Sequence, residues 1–333
     1  MRSERDYSLK QHNTFGIDAK CAQFVEYANE VEAKELAELL RSSRVSYIII
    51  GGGSNLLLTR DYEGIVVHSA CKGLSRNGNR LMCGSGEVFD DVVAKSIGMG
   101  LYGAENLSLI PGDVGASAVQ NIGAYGAEAK DLISKIIAVE ISTGNVCVID
   151  NAECEYGYRQ SKFKHEWKNR YLILSVEYEF SETFEPKLDY GNIRTELEKA
   201  GITNPTAQQL RDTIIRIREA KLPDPKVLGN AGSFFMNPIV SRAKYEELAA
   251  QYEALPHYDI DAESVKIPAG WMIDQCGWKG KSLGRAGVHD KQALVLVNRG
   301  GATGEEIVTL CQRIQSDVRQ KFGIDIYPEV NVI

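Results

Sequence analysis

The chain has 333 residues, of which 44% are hydrophobic and 25% are charged, and its formal net charge is −7. This length exceeds one ordinary hydrophobic core and indicates a soluble globular protein of two or three domains. The negative charge argues against nucleic acid as a main partner, because phosphate binding needs a basic face, and no apolar run reaches the ~18 residues that a membrane span needs. The polar N-terminus has no apolar signal-peptide core, so we expect a cytoplasmic protein. As a separate expectation, the protein is a monomer without a membrane partner.

Cysteine and histidine are too scattered to suggest a disulfide framework or a metal site. The 7 cysteines contain no C-x-x-C pair, and the 5 histidines are isolated from one another. Secreted disulfide frameworks and zinc sites both rely on characteristic spacings. We therefore predict free, mostly buried thiols and no metal centre.

Hydrophobic periodicity predicts mixed helices and strands in the first half of the chain. A helix over Glu30–Leu40 leads to a strand over Tyr47–Ile50, and a second strand follows over Gly64–His68. The pattern then predicts a helix over Val88–Ile97, strands over Ile133–Thr143 and Val146–Ile149 joined by a Gly144-Asn145 turn, and a strand over Tyr171–Phe180.

A proline pair marks the main domain boundary. A predicted helix over Thr206–Lys221 ends at Leu222-Pro223-Asp224-Pro225, because proline cannot continue a helix. Beyond it we predict helices over Ser241–Tyr252, Pro268–Cys276 and Thr303–Phe322, and strands over Ala293–Val297 and Ile324–Ile333. Mixed blocks of this kind indicate an α+β architecture.

The first glycine-rich segment follows a predicted strand directly. Gly51, Gly52 and Gly53 lead into Ser54 and Asn55, and backbone N–H groups after a strand can form a cradle for an anion. The segment lacks both the G-x-G-x-x-G of a dinucleotide-binding Rossmann fold and the Gly-Lys-Ser/Thr of a P-loop. A tight turn without a ligand is an equal alternative for this segment alone.

A second glycine-rich segment strengthens the case for a ligand. Between Ile110 and Gly126, small or polar residues are interspersed with short helical spacing, namely Gly112, Gly115, Ser117, Asn121 and Gly123. Two cradles on one chain suggest a ligand with two phosphates and a long body, such as a flavin dinucleotide. Two purely structural turns are the alternative.

One serine lies in a distinctive setting. Ser233 follows a glycine-rich approach, precedes Phe234 and Phe235, and has the carboxamide of Asn237 four residues on. Glycine lets a ligand approach the backbone closely. No G-x-S-x-G elbow surrounds the serine, so the pattern favours a proton donor or acceptor over a hydrolase nucleophile.

Two further polar residues are candidates for the chemistry. Arg159 lies in a Tyr/Gly-rich, loop-like context, and its planar guanidinium could hold a carboxylate or an enolate. Glu329 lies within an apolar C-terminal segment. A surface arginine stacked on tyrosine and an exposed edge glutamate are the alternatives. Arg218 and Lys221 share a helix face and could meet phosphates, or could be helix-end cations favoured by the helix dipole.

With these residues described, the chain resembles the UDP-N-acetylenolpyruvoylglucosamine reductases, in the loop-bearing type I branch. The matching stretches occur in the family's order and are residues 13–16, 51–55, 110–126, 156–164, 221–238, 267–276 and 328–330. The resemblance implies an α+β fold: a two-subdomain FAD-binding region of the vanillyl-alcohol-oxidase (PCMH) type, plus a separate α+β substrate-binding domain. We expect residues 1–67 with 323–333, residues 68–222, and residues 223–322 to form these parts.

The resemblance also implies an activity. NADPH would reduce a non-covalently bound FAD, which would pass hydride to the enolpyruvyl group of the UDP-sugar and so give UDP-N-acetylmuramate. Ser233 matches the family's proton donor, and Arg159 and Glu329 match the pair that polarises the substrate carboxylate and stabilises the enolate. The matching substrate-binding residues are Tyr190, Lys221, Asn237 and Gln292. The expected cofactor-binding residues are Gly51, Gly52, Gly53, Ser54, Asn55, Ile110, Gly112, Gly115, Ser117, Asn121 and Gly123.

Two positions depart from the family pattern. Ala116 stands where many members carry a second serine beside Ser117, which removes one expected hydrogen bond to a flavin phosphate. Met236 replaces a frequently polar residue. A flavin oxidase of the same fold class and a non-enzymatic flavin- or nucleotide-binding module are the alternatives to the reductase.

Overall fold

The computed structural model describes all 333 residues, which form two compact units. The first comprises residues 1–7, 21–53 and 62–220, and the second comprises residues 8–20, 54–61 and 221–333. The break after Ala220 lies close to the boundary that the proline pair predicts. Grouping residues 8–20 and 54–61 with the C-terminal part differs from the expected three-part division.

The chain contains eight α-helices and nineteen strands. The helices are α1 (Glu30–Ser42), α2 (Phe89–Gly98), α3 (Val114–Gln120), α4 (Ile193–Lys199), α5 (Ala207–Lys221), α6 (Arg242–Ala249), α7 (Ala269–Gln275) and α8 (Gly304–Phe322). The strands are β1 (Arg2–Ser8), β2 (Lys20–Tyr27), β3 (Tyr47–Ile50), β4 (Leu56–Leu57), β5 (Tyr62–Ser69), β6 (Leu74–Asn77), β7 (Arg80–Gly84), β8 (Gly123–Ala124), β9 (Ala127–Glu128), β10 (Ile133–Glu140), β11 (Val146–Asp150), β12 (Tyr171–Glu179), β13 (Ile239–Ser241), β14 (Tyr258–Asp259), β15 (Ser264–Lys266), β16 (Ser282–Leu283), β17 (Ala286–Val288), β18 (Leu296–Asn298) and β19 (Asn331–Val332).

The first unit contains two main sheets. One has the strand order β1-β2-β5-β3, in which β5 pairs in parallel with both β2 and β3. The other has the order β11-β10-β12-β7-β6 and is antiparallel throughout. Helix α1 begins at Asn29, whose side chain accepts a hydrogen bond from the backbone N–H of Glu32 at 3.0 Å. This cap satisfies one of the N–H groups that a helix start leaves unpaired.

Two hydrophobic clusters pack against the main sheets of the first unit. In one, Leu36 and Leu40 of α1 pack with Val67 of β5 and with strands of the antiparallel sheet. In the other, helices α2 and α3 pack with the antiparallel sheet, and Tyr178 and Phe89 are both buried there. Burial of Val114 and Ala118 in this core fixes α3, which lies within the second glycine-rich segment.

The second unit is built around α8. Its N-terminus is capped reciprocally by Thr303 and Glu306, an arrangement that satisfies two otherwise unpaired N–H groups. A Cβ on Gly304 would lie only 1.9 Å from the carbonyl oxygen of Leu58, so glycine is required at the first helical position. Two three-stranded sheets, β13-β15-β14 and β16-β17-β18, complete this unit.

The C-terminal strand is shorter than its sequence indicates. The apolar run predicts a strand over Ile324–Ile333, whereas only β19 forms, in parallel with the two-residue strand β4. Pro328 lacks a ladder donor and makes an isolated bridge with Phe235 instead. The segment before β19 therefore pairs with the serine segment rather than extending the strand.

Most long, periodic elements are confirmed, including α1, β3, α5 and α8. Strands β1 and β2 are not predicted. Strand β1 consists mainly of charged and polar residues, which is typical of an exposed edge strand but gives no apolar pattern in the sequence. No helix combines the length and the apolar character that crossing a lipid bilayer demands.

Candidate active site

The two glycine-rich segments meet in the first unit. A Cβ on Gly51 would lie 2.9 Å from the Cβ of Ala116, and one on Gly52 would lie 3.3 Å from Oδ1 of Asp113. The turn after β3 can therefore pack against the first turn of α3 only because these residues lack side chains. A backbone surface of this kind lets a phosphate approach N–H groups closely, as a dinucleotide cofactor requires.

The neighbouring part of this cradle is also fixed by close backbone packing. Gly115 donates its backbone N–H to the carbonyl oxygen of Ser85 at 2.8 Å, and a Cβ there would lie 3.0 Å from that of Ser85. Gly112 has φ +115°, a conformation that residues with a Cβ rarely adopt. Ile110, nearly buried, precedes this turn and belongs to the hydrophobic core.

The hydroxyl of Ser117 points into the protein. It donates to the carbonyl oxygen of Val114 at 2.7 Å and lies 2.6 Å from the hydroxyl of Tyr178. Ser117 itself is almost fully buried. In this structure its side chain thus stabilises the helix and the core below the cradle.

Asn121 and Gly123 support the turn that carries Arg159. Asn121 ends α3 with φ +48°, donates to the carbonyl oxygen of Gly157 at 2.8 Å, and accepts from the backbone N–H of Lys130 at 3.0 Å. A Cβ on Gly123 would lie 2.7 Å from a terminal nitrogen of Arg159. Both residues are also expected cofactor contacts, and in this structure they support the turn of Arg159.

The Arg159 guanidinium is oriented on several sides. One of its terminal nitrogens donates to the carbonyl oxygen of Gly123, and its guanidinium carbon lies 5.1 Å from the ring centroid of Tyr158. Its backbone has φ +56°, within a tight turn closed by reciprocal 3.0 Å hydrogen bonds between Gly157 and Gln160. The turn is a local structure, but its support comes from residues far apart in the sequence.

A second guanidinium lies near Arg159. Arg218 on α5 has a buried Nε without a hydrogen-bond partner. The pKa of Arg218 is lowered, and burial of its guanidinium is the main cause. The positive charge of Arg159 lowers this pKa further, whereas the nearby Tyr125 and Asp90 act in the opposite direction. The two guanidinium groups of Arg159 and Arg218 therefore lie in the same region of the first unit, and a guanidinium is well suited to bind a carboxylate or phosphate.

Tyr190 contacts the same part of the first unit. Its ring meets that of Tyr125 edge-on at a centroid distance of 6.4 Å, and Gly126 with φ +79° leaves room beside it. The side chain of Asn106 ties the two tyrosine segments together, since it donates to the carbonyl oxygens of Tyr125 at 2.8 Å and Lys187 at 3.0 Å. Tyr190 is 36% exposed, so its side chain lies partly at the surface.

In the second unit, the segments of Ser233 and Glu329 lie side by side. The backbone N–H of Glu329 donates to the carbonyl oxygen of Phe234 at 2.8 Å, and Phe235 bridges Pro328. Phe234 and Phe235 are each 1% exposed, whereas Ser233 is exposed. The buried rings therefore anchor a backbone that presents the serine hydroxyl outward.

Asn55 joins this arrangement from the first glycine-rich segment. Its side chain donates to the carbonyl oxygen of Glu329 at 3.3 Å, and its own carbonyl oxygen accepts from the backbone N–H of Asn331 at 3.1 Å. Ser54 precedes it in the same unit. The sequence prediction treats Asn55 and Glu329 as parts of different sites, and the structure brings them into contact.

Asn230 holds the approach to the serine and is not identified by the sequence analysis. It is buried, and its side chain donates to the carbonyl oxygens of Pro223 at 3.1 Å and Leu228 at 2.9 Å while accepting from the backbone N–H of Gly232 at 2.9 Å. A Cβ on Gly229 would lie 2.2 Å from the carbonyl oxygen of Phe15. The only sequence signal for these contacts is the position of Asn230 between two glycines.

Asn237 and Gln292 both lie at the start of α7. Oδ1 of Asn237 accepts from the backbone N–H of Ala269 at 2.9 Å, and Oε1 of Gln292 would lie 3.1 Å from a Cβ on Gly270. Lys221 is exposed at the last position of α5. The structure thus brings together two of the four predicted substrate-binding residues.

The comparisons with known proteins cover the whole chain. A family model described as an FAD binding domain matches residues 21–149, and one described as UDP-N-acetylenolpyruvoylglucosamine reductase, C-terminal domain, matches residues 224–333. A solved structure of UDP-N-acetylenolpyruvylglucosamine reductase from Thermus caldophilus aligns with a TM-score of 0.69 at 21% identity, covering 100% of this chain and 99% of that chain. The predicted fold class, an FAD-binding region of PCMH type with a separate α+β domain, is confirmed.

Curated relatives match over nearly their full lengths. The UDP-N-acetylenolpyruvoylglucosamine reductase of Bacteroides fragilis (strain YCH46) is 54% identical over 338 residues, which cover 99% of this chain and 100% of the relative. That of Porphyromonas gingivalis (strain ATCC 33277) is 46% identical over 340 residues, covering 100% of both. The chain therefore belongs to the UDP-N-acetylenolpyruvoylglucosamine reductase family.

Proposed function

We propose that this protein uses NADPH and FAD to reduce the enolpyruvyl group of UDP-N-acetylglucosamine-enolpyruvate to UDP-N-acetylmuramate, a step in peptidoglycan precursor synthesis. The observation that carries the proposal is the pairing of the Ser233 segment with that of Glu329, in a chain of this family. Bound FAD would supply the hydride chemistry, and the protein would supply binding, orientation and protons.

Ser233 is the proposed proton donor. Hydride addition to an enolpyruvyl group places negative charge on the α-carbon and its carboxylate, and a hydroxyl can then protonate that carbon. The exposure of Ser233 on a backbone anchored by Phe234 and Phe235 supports this role. A serine is a weak acid, so it donates only where neighbouring groups orient it and charge has developed.

Arg159 and Glu329 are the proposed stabilisers of that charge. A guanidinium gives bidentate hydrogen bonds to a carboxylate, and the oriented Arg159 with Arg218 nearby forms a positive region in the first unit. Glu329 would act beside Ser233 in the second unit. Convergence of all three residues on one substrate is part of the proposal.

The cradle of Gly51, Gly52 and the first turn of α3 would hold the FAD pyrophosphate without a covalent bond. The close packing of Gly51 and Gly52, which leaves little space for a side chain at either position, supports this assignment. We propose that the UDP end of the substrate is bound by Tyr190, Lys221, Asn237 and Gln292, because the tyrosine is partly exposed and the two carboxamides lie together. The 7 free cysteines accord with a reducing, cytoplasmic location, and size-exclusion chromatography would test the proposed monomer.

The test is a spectroscopic titration of the purified protein. We expect an oxidised flavin spectrum that NADPH bleaches anaerobically and that UDP-N-acetylglucosamine-enolpyruvate restores, with UDP-N-acetylmuramate as product. A flavin that this substrate does not reoxidise would contradict the proposal. Steady release of hydrogen peroxide in air without the UDP-sugar would indicate a flavin oxidase.

A further inference from the structure

A histidine lies between two carboxylates beneath the glycine cradle. Nδ1 of His68 lies 3.0 Å from Oε1 of Glu26, and its Nε2 lies 3.3 Å from Oδ2 of Asp113. Carboxylates at neutral pH only accept hydrogen bonds, and a ring nitrogen facing one must carry a proton to bond with it. With an acceptor at both nitrogens, the geometry is that of a doubly protonated imidazolium.

Asp113 connects this histidine to both glycine-rich segments. It occupies the N-cap position of α3, yet its side chain makes no capping hydrogen bond. Its carboxylate oxygens instead lie 3.5 Å and 3.3 Å from where the Cβ atoms of Gly51 and Gly52 would be. The carboxylate of Asp113 thus fills the space between the turn after β3 and the start of α3.

The remaining charges around His68 come from strands β1 and β2. Glu26 is the register partner of His68 in the parallel pair of β2 and β5, and its second oxygen accepts from Arg2 at 2.7 Å. The ring of Phe24 stacks on His68 at a centroid distance of 6.2 Å. From β3, the register partner is the uncharged Ile50.

We propose that His68 is a positioning residue for the flavin dinucleotide, its imidazolium neutralising Asp113 and holding the two glycine-rich segments in the geometry that binds the pyrophosphate. The inference rests on the cofactor site in the proposed function. When His68 loses this proton, the half-buried carboxylate of Asp113 remains beside the cradle without the imidazolium charge. That charge repels the pyrophosphate and loosens the link between the segments.

The protonation of His68 sets the sign of the pH dependence. Burial alone disfavours the imidazolium, but the hydrogen bonds that the ring donates to Asp113 and Glu26 outweigh it and raise the pKa of His68 above its ordinary value. The contribution is complete below the ordinary histidine pKa of about 6.5 and is lost as pH rises through the raised value in the folded protein. The FAD pyrophosphate stays ionised over this range, so FAD affinity falls with rising pH.

The experiment measures FAD release on serial dilution of the holoenzyme, detected by flavin fluorescence between about pH 6 and pH 9. We expect His68→Gln to weaken FAD binding about tenfold at the low end, in line with a lost charge-assisted hydrogen bond, and to flatten the pH profile. In the double variant that carries both His68→Gln and Asp113→Asn, we expect most of the FAD affinity to return, because the uncompensated carboxylate is also removed. A purely structural role for His68 predicts neither the flattened profile nor this recovery.

Two further measurements keep the outcomes distinct. An NMR titration of the His68 ring in the unmodified holoenzyme gives its pKa directly, and a value at or below that of a free histidine overturns the inference. Gly51→Val should lose FAD at every pH, because its side chain collides with Ala116. Retention of FAD in Gly51→Val would contradict the cofactor site itself, whereas FAD loss there with an unaltered profile in His68→Gln would contradict the role of His68 alone.

Discussion

The glycine cradle and the serine segment differ in which part of the chain they present: the cradle presents backbone, and the serine segment presents a side chain. At Gly51 and Gly52 the absence of side chains lets the backbone pack against the first turn of α3, and the side chain of nearby Ser117 turns into the protein. At Ser233 the backbone is fixed by pairing with the Glu329 segment, and the side chain faces outward. Substitutions at the cradle should therefore affect structure and FAD content, whereas those at the serine segment should affect turnover alone.

The largest effect that would sharpen this contrast is expected at Glu329. Replacement by glutamine keeps the backbone hydrogen bond to Phe234 but removes the carboxyl group. Because the loss of one group that stabilises a transition state costs ~10²–10³ in rate, we expect kcat to fall by that factor. Flavin content and melting temperature should stay near those of the unmodified protein. Loss of flavin together with activity would show that Glu329 supports the structure of the protein and would contradict a role in turnover alone.

A substitution below the cradle should do the reverse. Asp90 forms a nearly buried, two-pronged ion pair with Arg211, at 2.6 Å and 2.9 Å, and accepts from the backbone N–H of Leu109 at 2.6 Å. This pair fixes the chain just before Ile110. Asp90→Asn leaves the arginine charge uncompensated and should destabilise folding by about 3 kcal/mol, with loss of FAD. Thermal unfolding followed by flavin fluorescence measures both.

The same ion pair gives a pH prediction. Burial favours the neutral form of Asp90, but the hydrogen bonds from Arg211 and Leu109 outweigh it and lower the pKa of Asp90 below its ordinary value. Its stabilising effect is present above the ordinary aspartate pKa of about 3.9 and is lost as pH falls through the depressed value. Acid unfolding of Asp90→Asn should therefore show a smaller loss of stability in that window. An identical acid profile would contradict the assignment.

The smallest effect is expected at the cap of α8, within the unit that carries Ser233. Thr303→Ala removes the hydrogen bond to the backbone N–H of Glu306 and should lower stability by about 1 kcal/mol. Turnover should be unchanged below the melting transition, because the cap supports α8 and presents no group to the substrate. A fall in kcat at constant flavin content would contradict the prediction that this cap affects stability but not turnover.

The sequence predicts local features better than contacts between distant segments. Helix α8 and strand β3 are readable because apolar periodicity and capping residues act within a few positions. The candidate residues Ser233 and Glu329 are identified through the family resemblance. Their proximity depends on backbone pairing between segments that lie 96 positions apart in the chain. No local pattern encodes that pairing.

The roles of Asn121 and Gly123 show a second limit. Their residue types suit a ligand cradle and predict cofactor contacts, and the structure shows a second role that the sequence does not indicate, because both residues also support the turn of Arg159. A small or left-handed residue has the same signature whether a ligand or another part of the chain approaches its backbone. Only the three-dimensional neighbours distinguish the two cases.

The role of Ser233 as proton donor is best tested by anaerobic stopped flow, in which the two half-reactions of Ser233→Ala are measured separately. Ser75→Ala, at an exposed serine of β6, is the matched control. We expect NADPH to reduce the flavin of both variants at the unmodified rate. We expect reoxidation by UDP-N-acetylglucosamine-enolpyruvate to slow by ~10²-fold or more in Ser233→Ala alone. Reoxidation of Ser233→Ala at the unmodified rate would show that Ser233 is not the proton donor.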